Sequence, residues 1–193
     1  MAEYKPDDMR DGRLDETITG RRTVAEGKVF RYERLDVTLP DGSASVRDIV
    51  RLPGGSVVAA LDGEGYLYLV SQYRAAFEQV TLELPAGRLE PGEAPEACAA
   101  RELYEETGLR AGTLKRLASV MSTPGYSDET LHIFLATDLE SGEAEPDEGE
   151  FINAVMFPFD EAVDLVVNGE IRDSKTVIGI LLAERELRPG TAE

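Results

Sequence analysis

Apolar and polar residues alternate through two early stretches, KVFRYERLDVTLP (28–40) and SASVRDIVRL (43–52), joined at Pro40-Asp41-Gly42. Period-two patterning on either side of a turn triplet predicts two strands and a hairpin. The pattern repeats in SVVAAL (56–61) and YLYLVSQYR (66–74), separated by Asp62-Gly63-Glu64-Gly65, which predicts a second hairpin. Further short strands are predicted at VTLEL (80–84), TLKRLASV (113–120), TLHIFLAT (130–137) and FINAVMF (151–157).

Three segments have helical character. Pro95 suits a first helical position and Gly108 the residue just past an end, which bounds a helix between them. At 100° per residue Ala97, Ala100, Leu103, Tyr104 and Thr107 gather on one side, expected to face the core. Glu102, Glu105 and Glu106 fall on the other. Asp160–Val167 and Ser174–Leu187 read as two later helices, the second capped by Asp173 or Ser174 and closed before Pro189-Gly190. Strands mixed with a few helices predict an α/β or α+β arrangement, a mixed sheet covered by helices. Two acidic, turn-rich stretches, the tail to about Asp15 and Glu140–Glu150, read as irregular.

At 193 residues the chain suits one domain with an extension. The reading divides it into a tail and β region over 1–52 and a catalytic domain over 53–193. The net charge of −18 argues against nucleic acid or an anionic membrane as partner, since both need clustered Lys and Arg. Only four of the 20 basic residues are lysine, a composition associated with salt adaptation. The polar, acidic start has no signal-peptide character and points to the cytoplasm. Cys98 stands alone, so no intramolecular disulfide forms. An acidic protein that handles phosphate compounds needs metal cations and local arginines to hold them.

The carboxylates of Glu102, Glu105 and Glu106 are the strongest chemical signal. Like charges three and four residues apart repel by a few tenths of a kcal/mol per pair, and no lysine in this helix relieves them. A solvated acidic face explains the charge but not the crowding. Hard divalent cations prefer carboxylate oxygens, so the three make a candidate magnesium site.

The stretch GRLEPGEAPEACAARELYEETGL, Gly87–Leu109, resembles the Nudix box: Gly87, Glu93, Arg101, Glu102, Leu103, Glu105, Glu106, Gly108 and Leu109 fill its defined positions. LPAG before it and STPGYSDE after it, with Pro124, resemble the ADP-ribose pyrophosphatase branch. The resemblance implies a Nudix fold with an N-terminal antiparallel β extension that serves a homodimer. It implies Glu102 and Glu106 as main metal ligands, Glu105 in support and the carbonyl of Ala86 completing the set. Glu93 and Arg101 would tie loop to helix through a charge-assisted bond, and Gly87 and Gly108 would permit backbone geometry that a side chain hinders.

The implied reaction is Mg2+-dependent hydrolysis of ADP-ribose to AMP and ribose 5-phosphate, with Mn2+ as a substitute. Metal ions neutralise the phosphates and acidify a bound water, whose proton needs a base. His132 sits in a strand-like run, so a carboxylate is favoured. The branch resemblance points to DEGEFI, with Glu150 first and Glu148 second. Arg74 and Arg51 are candidates for phosphate or base support, and Glu83 for the ribose hydroxyls. Phe30, Tyr32 and Tyr126 are candidates to stack on adenine. Other readings remain: the same chemistry on GDP-mannose, NADH or a diadenosine polyphosphate, or a non-catalytic ADP-ribose-binding module.

Overall fold

The computed structural model describes residues 12–144 and 151–188. Two compact units are formed, one from the chain up to Leu52 together with Thr123–Asp128, the other from Pro53–Ser122 and from Glu129 onward.

The first unit is a three-stranded antiparallel sheet in the order β1(Thr17–Glu26), β2(Arg31–Thr38), β3(Ala44–Arg51). The predicted hairpin joins β2 and β3. β1 is an addition, because every one of its residues except Gly20 is exposed and alternation appears only where one face is buried. Leu35 and Val37 of β2 are buried on the inner face. Thr123–Asp128 closes against the end of β3, with the Val50 N–H donating to the Tyr126 carbonyl at 2.7 Å.

The second unit is built on a seven-stranded mixed sheet. Its strands are β4(Gly55–Leu61), β5(Tyr66–Arg74), β6(Gln79–Glu83), β7(Ala86–Arg88), β8(Leu109–Met121), β9(Thr130–Ser141) and β10(Ile152–Pro158). They run in the order β10-β5-β4-β9-β8, with β6 on β5 and β7 on β4. Only β4 and β9 pair in parallel. β4 is apolar at consecutive positions because both its faces are covered. Val57 and Ala59 join Leu84, Phe159, Val163 and Ile180 in one core cluster. Val58 and Ala60 join Ala99, Leu103 and Phe134 in the other. Helices α2(Phe159–Val167) and α3(Ser174–Leu187) cover the first face and α1(Pro95–Thr107) the second.

α1 begins on Pro95 and ends at Gly108, whose φ of 73° is left-handed. The Gly108 N–H donates to the Tyr104 carbonyl at 2.7 Å, closing the helix as a glycine C-cap does. The expected inward side of α1 needs correction. Ala97 and Ala100 are exposed, and the buried residues are Cys98, Ala99, Leu103 and Glu106. The short side chains of Cys98 and Ala99 let the helix lie close to the sheet, which turns Glu106 inward. α3 is capped by Asp173, whose side chain accepts from the Thr176 N–H at 3.0 Å. Among the described residues no helix is long and apolar enough to cross a membrane.

Candidate active site

The acidic face of α1 lies against the turn from β6 into β7. Gly87 lies in β7 just past that turn, and a Cβ built on it would stand 1.8 Å from the Glu102 Cδ. The space a side chain would fill is the space the Glu102 carboxylate uses. Next to it, the Ala86 N–H donates to Glu106 Oε2 at 2.9 Å, and Glu106 is only 7% exposed.

Arg101 organises the rest of this face. Its Nε and Nη2 grip the two oxygens of Glu93, each at 2.9 Å, and Nη2 also donates to the Arg88 carbonyl at 3.1 Å. Its Nη1 donates to Glu102 at 2.7 Å and to Glu105 at 2.9 Å. The hydrogen bond from Arg101 holds the Glu93 carboxyl at about 2 against the modest upward push of burial. The repulsion on this helix is thus relieved by an arginine already inside the motif. Among the described residues no three His, Cys, Asp or Glu side chains are closed into a ligand set, because Arg101 holds Glu102 and Glu105 while Glu106 turns to Ala86. The donor chemistry nevertheless suits a hard divalent cation: three carboxylates beside the backbone of β7, where Gly87 leaves room for the Glu102 carboxylate.

A second charged cluster adjoins the first. Arg74 Nε and Nη2 grip Glu83 at 2.7 and 2.6 Å. Thr81 Oγ1 donates to Glu83 at 2.6 Å, and Lys175 ion-pairs with it. Burial pushes the Glu83 carboxyl up, but Arg74, Lys175 and Thr81 outweigh it and hold it at about 2. Arg74 is raised mainly by its hydrogen bonds to Glu83, against desolvation, and the charge of Glu106 adds to that rise. Lys175 escaped sequence reasoning; the signal available was its place two residues after a capping aspartate, at a helix start.

Arg51 lies in the first unit, where it donates to Glu33 at 2.9 Å and to Asp128 at 3.0 Å. Arg31 also donates to Glu33 at 2.9 Å, and Glu33 is buried. Asp128 additionally accepts from the Leu52 N–H at 3.1 Å, so it braces the end of β3. Phe30 and Tyr126 are exposed, while the Tyr32 hydroxyl donates to Asp48 at 2.7 Å. The two base candidates, Glu148 and Glu150, lie outside the described residues. His132 contacts Ser119 across the β8–β9 pair at 2.8 Å, an ordinary cross-strand neighbour. Cys98 is fully buried, and burial pushes its thiol up to about 11, which makes it inert packing.

A mixed sheet between helices, with an acidic helix face set against the glycine of β7, defines an α+β scaffold with an oxygen-rich site. The family model described as the NUDIX domain matches residues 51–177, and the chain belongs to that family as a Nudix hydrolase. Hydrolases of this family generally use divalent metal ions. The chain is 40% identical over 169 residues to the ADP-ribose pyrophosphatase of Bacillus subtilis (strain 168), covering 86% of this chain and 91% of that protein. The same identity and coverage relate it to a methanol dehydrogenase activator of Bacillus methanolicus. A crystal structure of an ADP compounds hydrolase superposes with a TM-score of 0.80 at 28% identity, covering 90% of this chain and 95% of that one.

Proposed function

We propose that the protein hydrolyses the pyrophosphate bond of ADP-ribose, giving AMP and ribose 5-phosphate, with Mg2+ as its metal ion and Mn2+ as a substitute. The observation that carries the reading is the convergence of Glu102 and Glu106 on Ala86 and Gly87 at the start of β7. The likeness to the ADP-ribose pyrophosphatase of Bacillus subtilis supports the choice of substrate.

Glu102, Glu105, Glu106 and the Ala86 carbonyl would hold the metal. Bound there, it supplies charge neutralisation at the diphosphate and a more acidic water. Glu106 is anchored by the Ala86 N–H, so its other oxygen has a defined direction before metal arrives. Glu102 and Glu105 are both held by Nη1 of Arg101. Glu150, with Glu148 as second choice, is assigned to take the proton of the attacking water. Arg74, already oriented by Glu83, is assigned to the phosphates. Glu83 carries three partners of its own, so positioning Arg74 is its assigned role beside any contact to ribose. Arg51 is assigned to substrate or base support.

The region 53–193 serves as the catalytic domain and 1–52 as the extension through which two copies pair as a homodimer. The cytoplasm is the assigned compartment, and neither nucleic acid nor membrane is a partner for a chain of net charge −18. The test is turnover of ADP-ribose, GDP-mannose, NADH and diadenosine polyphosphates with Mg2+, products separated by chromatography, alongside Glu106→Gln. AMP from ADP-ribose, only with metal and intact Glu106, is the expected result. Preference for another compound overturns the substrate, and no turnover of any overturns the catalytic reading in favour of a binding module.

A further inference from the structure

The segment Glu83–Ala86, which ends on the Ala86 carbonyl assigned to the metal, is held residue by residue. Glu83 is gripped by Arg74, Thr81 and Lys175. The Leu84 N–H donates to Thr176 Oγ1 at 2.8 Å. The Pro85 carbonyl accepts from the Val58 N–H at 2.9 Å, and the Ala86 N–H donates to Glu106 at 2.9 Å. Two of these four holds come from α3, some ninety positions further along the chain.

We propose that Thr176, with Lys175 beside it, is a positioning residue for the metal site, acting through the Leu84 N–H and the Glu83 carboxylate to fix the Ala86 carbonyl beside Glu106. The inference rests on the metal assignment above and adds to it a role for the start of α3. Thr176 is fully buried. Its hydroxyl donates to Asp173 Oδ2 at 2.7 Å, which leaves its lone pairs for Leu84. Asp173 also accepts from the Thr176 N–H at 3.0 Å and from Lys175 Nζ at 2.9 Å, so one cap residue orients both side chains. The cap takes the Thr176 N–H and the hydroxyl proton, and the oxygen of that hydroxyl is left to accept from Leu84. The hydroxyl is used outward, on the β6–β7 segment.

Packing enforces the same contact. Gly179 lies one turn after Thr176, and a Cβ there would fall 2.4 Å from Leu84 Cδ1. α3 therefore presses on the residue whose N–H it binds, two positions before Ala86. Outer contacts of this kind orient metal ligands, and their loss weakens metal affinity by about 10- to 100-fold.

The experiment measures Mn2+ binding to the substrate-free full chain by electron paramagnetic resonance, for wild type, Thr176→Val, Thr176→Ser and Gly179→Ala. Thr176→Val keeps the volume and loses the acceptor; Thr176→Ser restores the acceptor. Val166→Ala on α2 serves as a variant that loses packing in the same core cluster while removing none of the segment's hydrogen bonds. The expected result is affinity weakened by about tenfold in Thr176→Val and Gly179→Ala, wild-type affinity in Thr176→Ser and Val166→Ala, and turnover in Thr176→Val recovering as Mn2+ is raised. Wild-type affinity in Thr176→Val, with only a lowered melting temperature, overturns the proposal. If that variant does not fold, Gly179→Ala decides in the same way, since alanine favours the helix itself. Wild-type protein showing no Mn2+ binding that Glu106→Gln removes overturns instead the metal assignment on which the proposal rests.

Discussion

The backbone N–H of Ala86 donates to the carboxylate of Glu106 at 2.9 Å, although 20 positions separate the two residues in the chain. The bond ties the residue whose carbonyl is an assigned ligand to the helix carboxylate that is another, so the two are held together. Glu106→Gln keeps an oxygen acceptor for Ala86 but loses the charge. We expect it to fold with near-native stability and to lose metal-dependent turnover by about a hundredfold or more. Circular dichroism with steady-state kinetics checks this, and full activity in the variant removes Glu106 from the ligand set.

Gly87→Ala tests the pocket used by Glu102. The new methyl would stand 1.8 Å from Glu102 Cδ and 1.9 Å from its Oε1, so the carboxylate must leave. We expect weaker Mg2+ activation, seen as a rise of about tenfold or more in the half-activating concentration. An unchanged metal titration would show that Glu102 does not bind from this position.

Arg101→Lys tests the tie between loop and helix. A lysine cannot reproduce the two-pronged grip on Glu93 and the two bonds to Glu102 and Glu105 together. Loss of charge-assisted bonds at this partly buried site predicts a cost of about 2 kcal/mol, read as a shift in the urea midpoint. Glu93→Gln should cost a similar amount, and the double variant less than the sum, because both remove one interaction.

Glu83 predicts the acid limb of stability. Its carboxyl is held at about 2 against an ordinary 4.5, by Arg74, Lys175 and Thr81 acting against burial. A depressed folded value contributes stability that is fully present above 4.5 and is lost as pH falls toward 2. Glu83→Gln should therefore be less stable than wild type at neutral pH and show a shallower decline below about pH 4.5. Equal slopes in urea unfolding across that window would show that Glu83 does not carry the effect.

Removal of divalent ions with a chelator should abolish turnover and leave the fold intact. Both core clusters are built from apolar side chains and include none of the assigned carboxylate ligands, so far-ultraviolet circular dichroism should not change. Turnover should return on adding Mg2+ or Mn2+.

Much of this was legible in the sequence. Apolar patterning, alternating or in a short run as in β4, marked β2 to β6 and β8 to β10, and Pro95 and Gly108 bounded α1 because each is set by backbone geometry at its own position. The spacing of Gly87, Glu93, Arg101, Glu102, Glu105 and Glu106 was enough to identify the motif and its chemistry. Local pattern could not supply the rest. β1 is exposed on both faces and has no period to read. The rotation of α1, with Ala97 and Ala100 outside and Glu106 inside, depends on how closely Cys98 and Ala99 let the helix approach the sheet. The hold of Thr176 on Leu84 spans 92 positions. Such contacts are decided only when two helices and the sheet close on one another, because periodicity specifies which face of an element is apolar and not which distant residue will meet it.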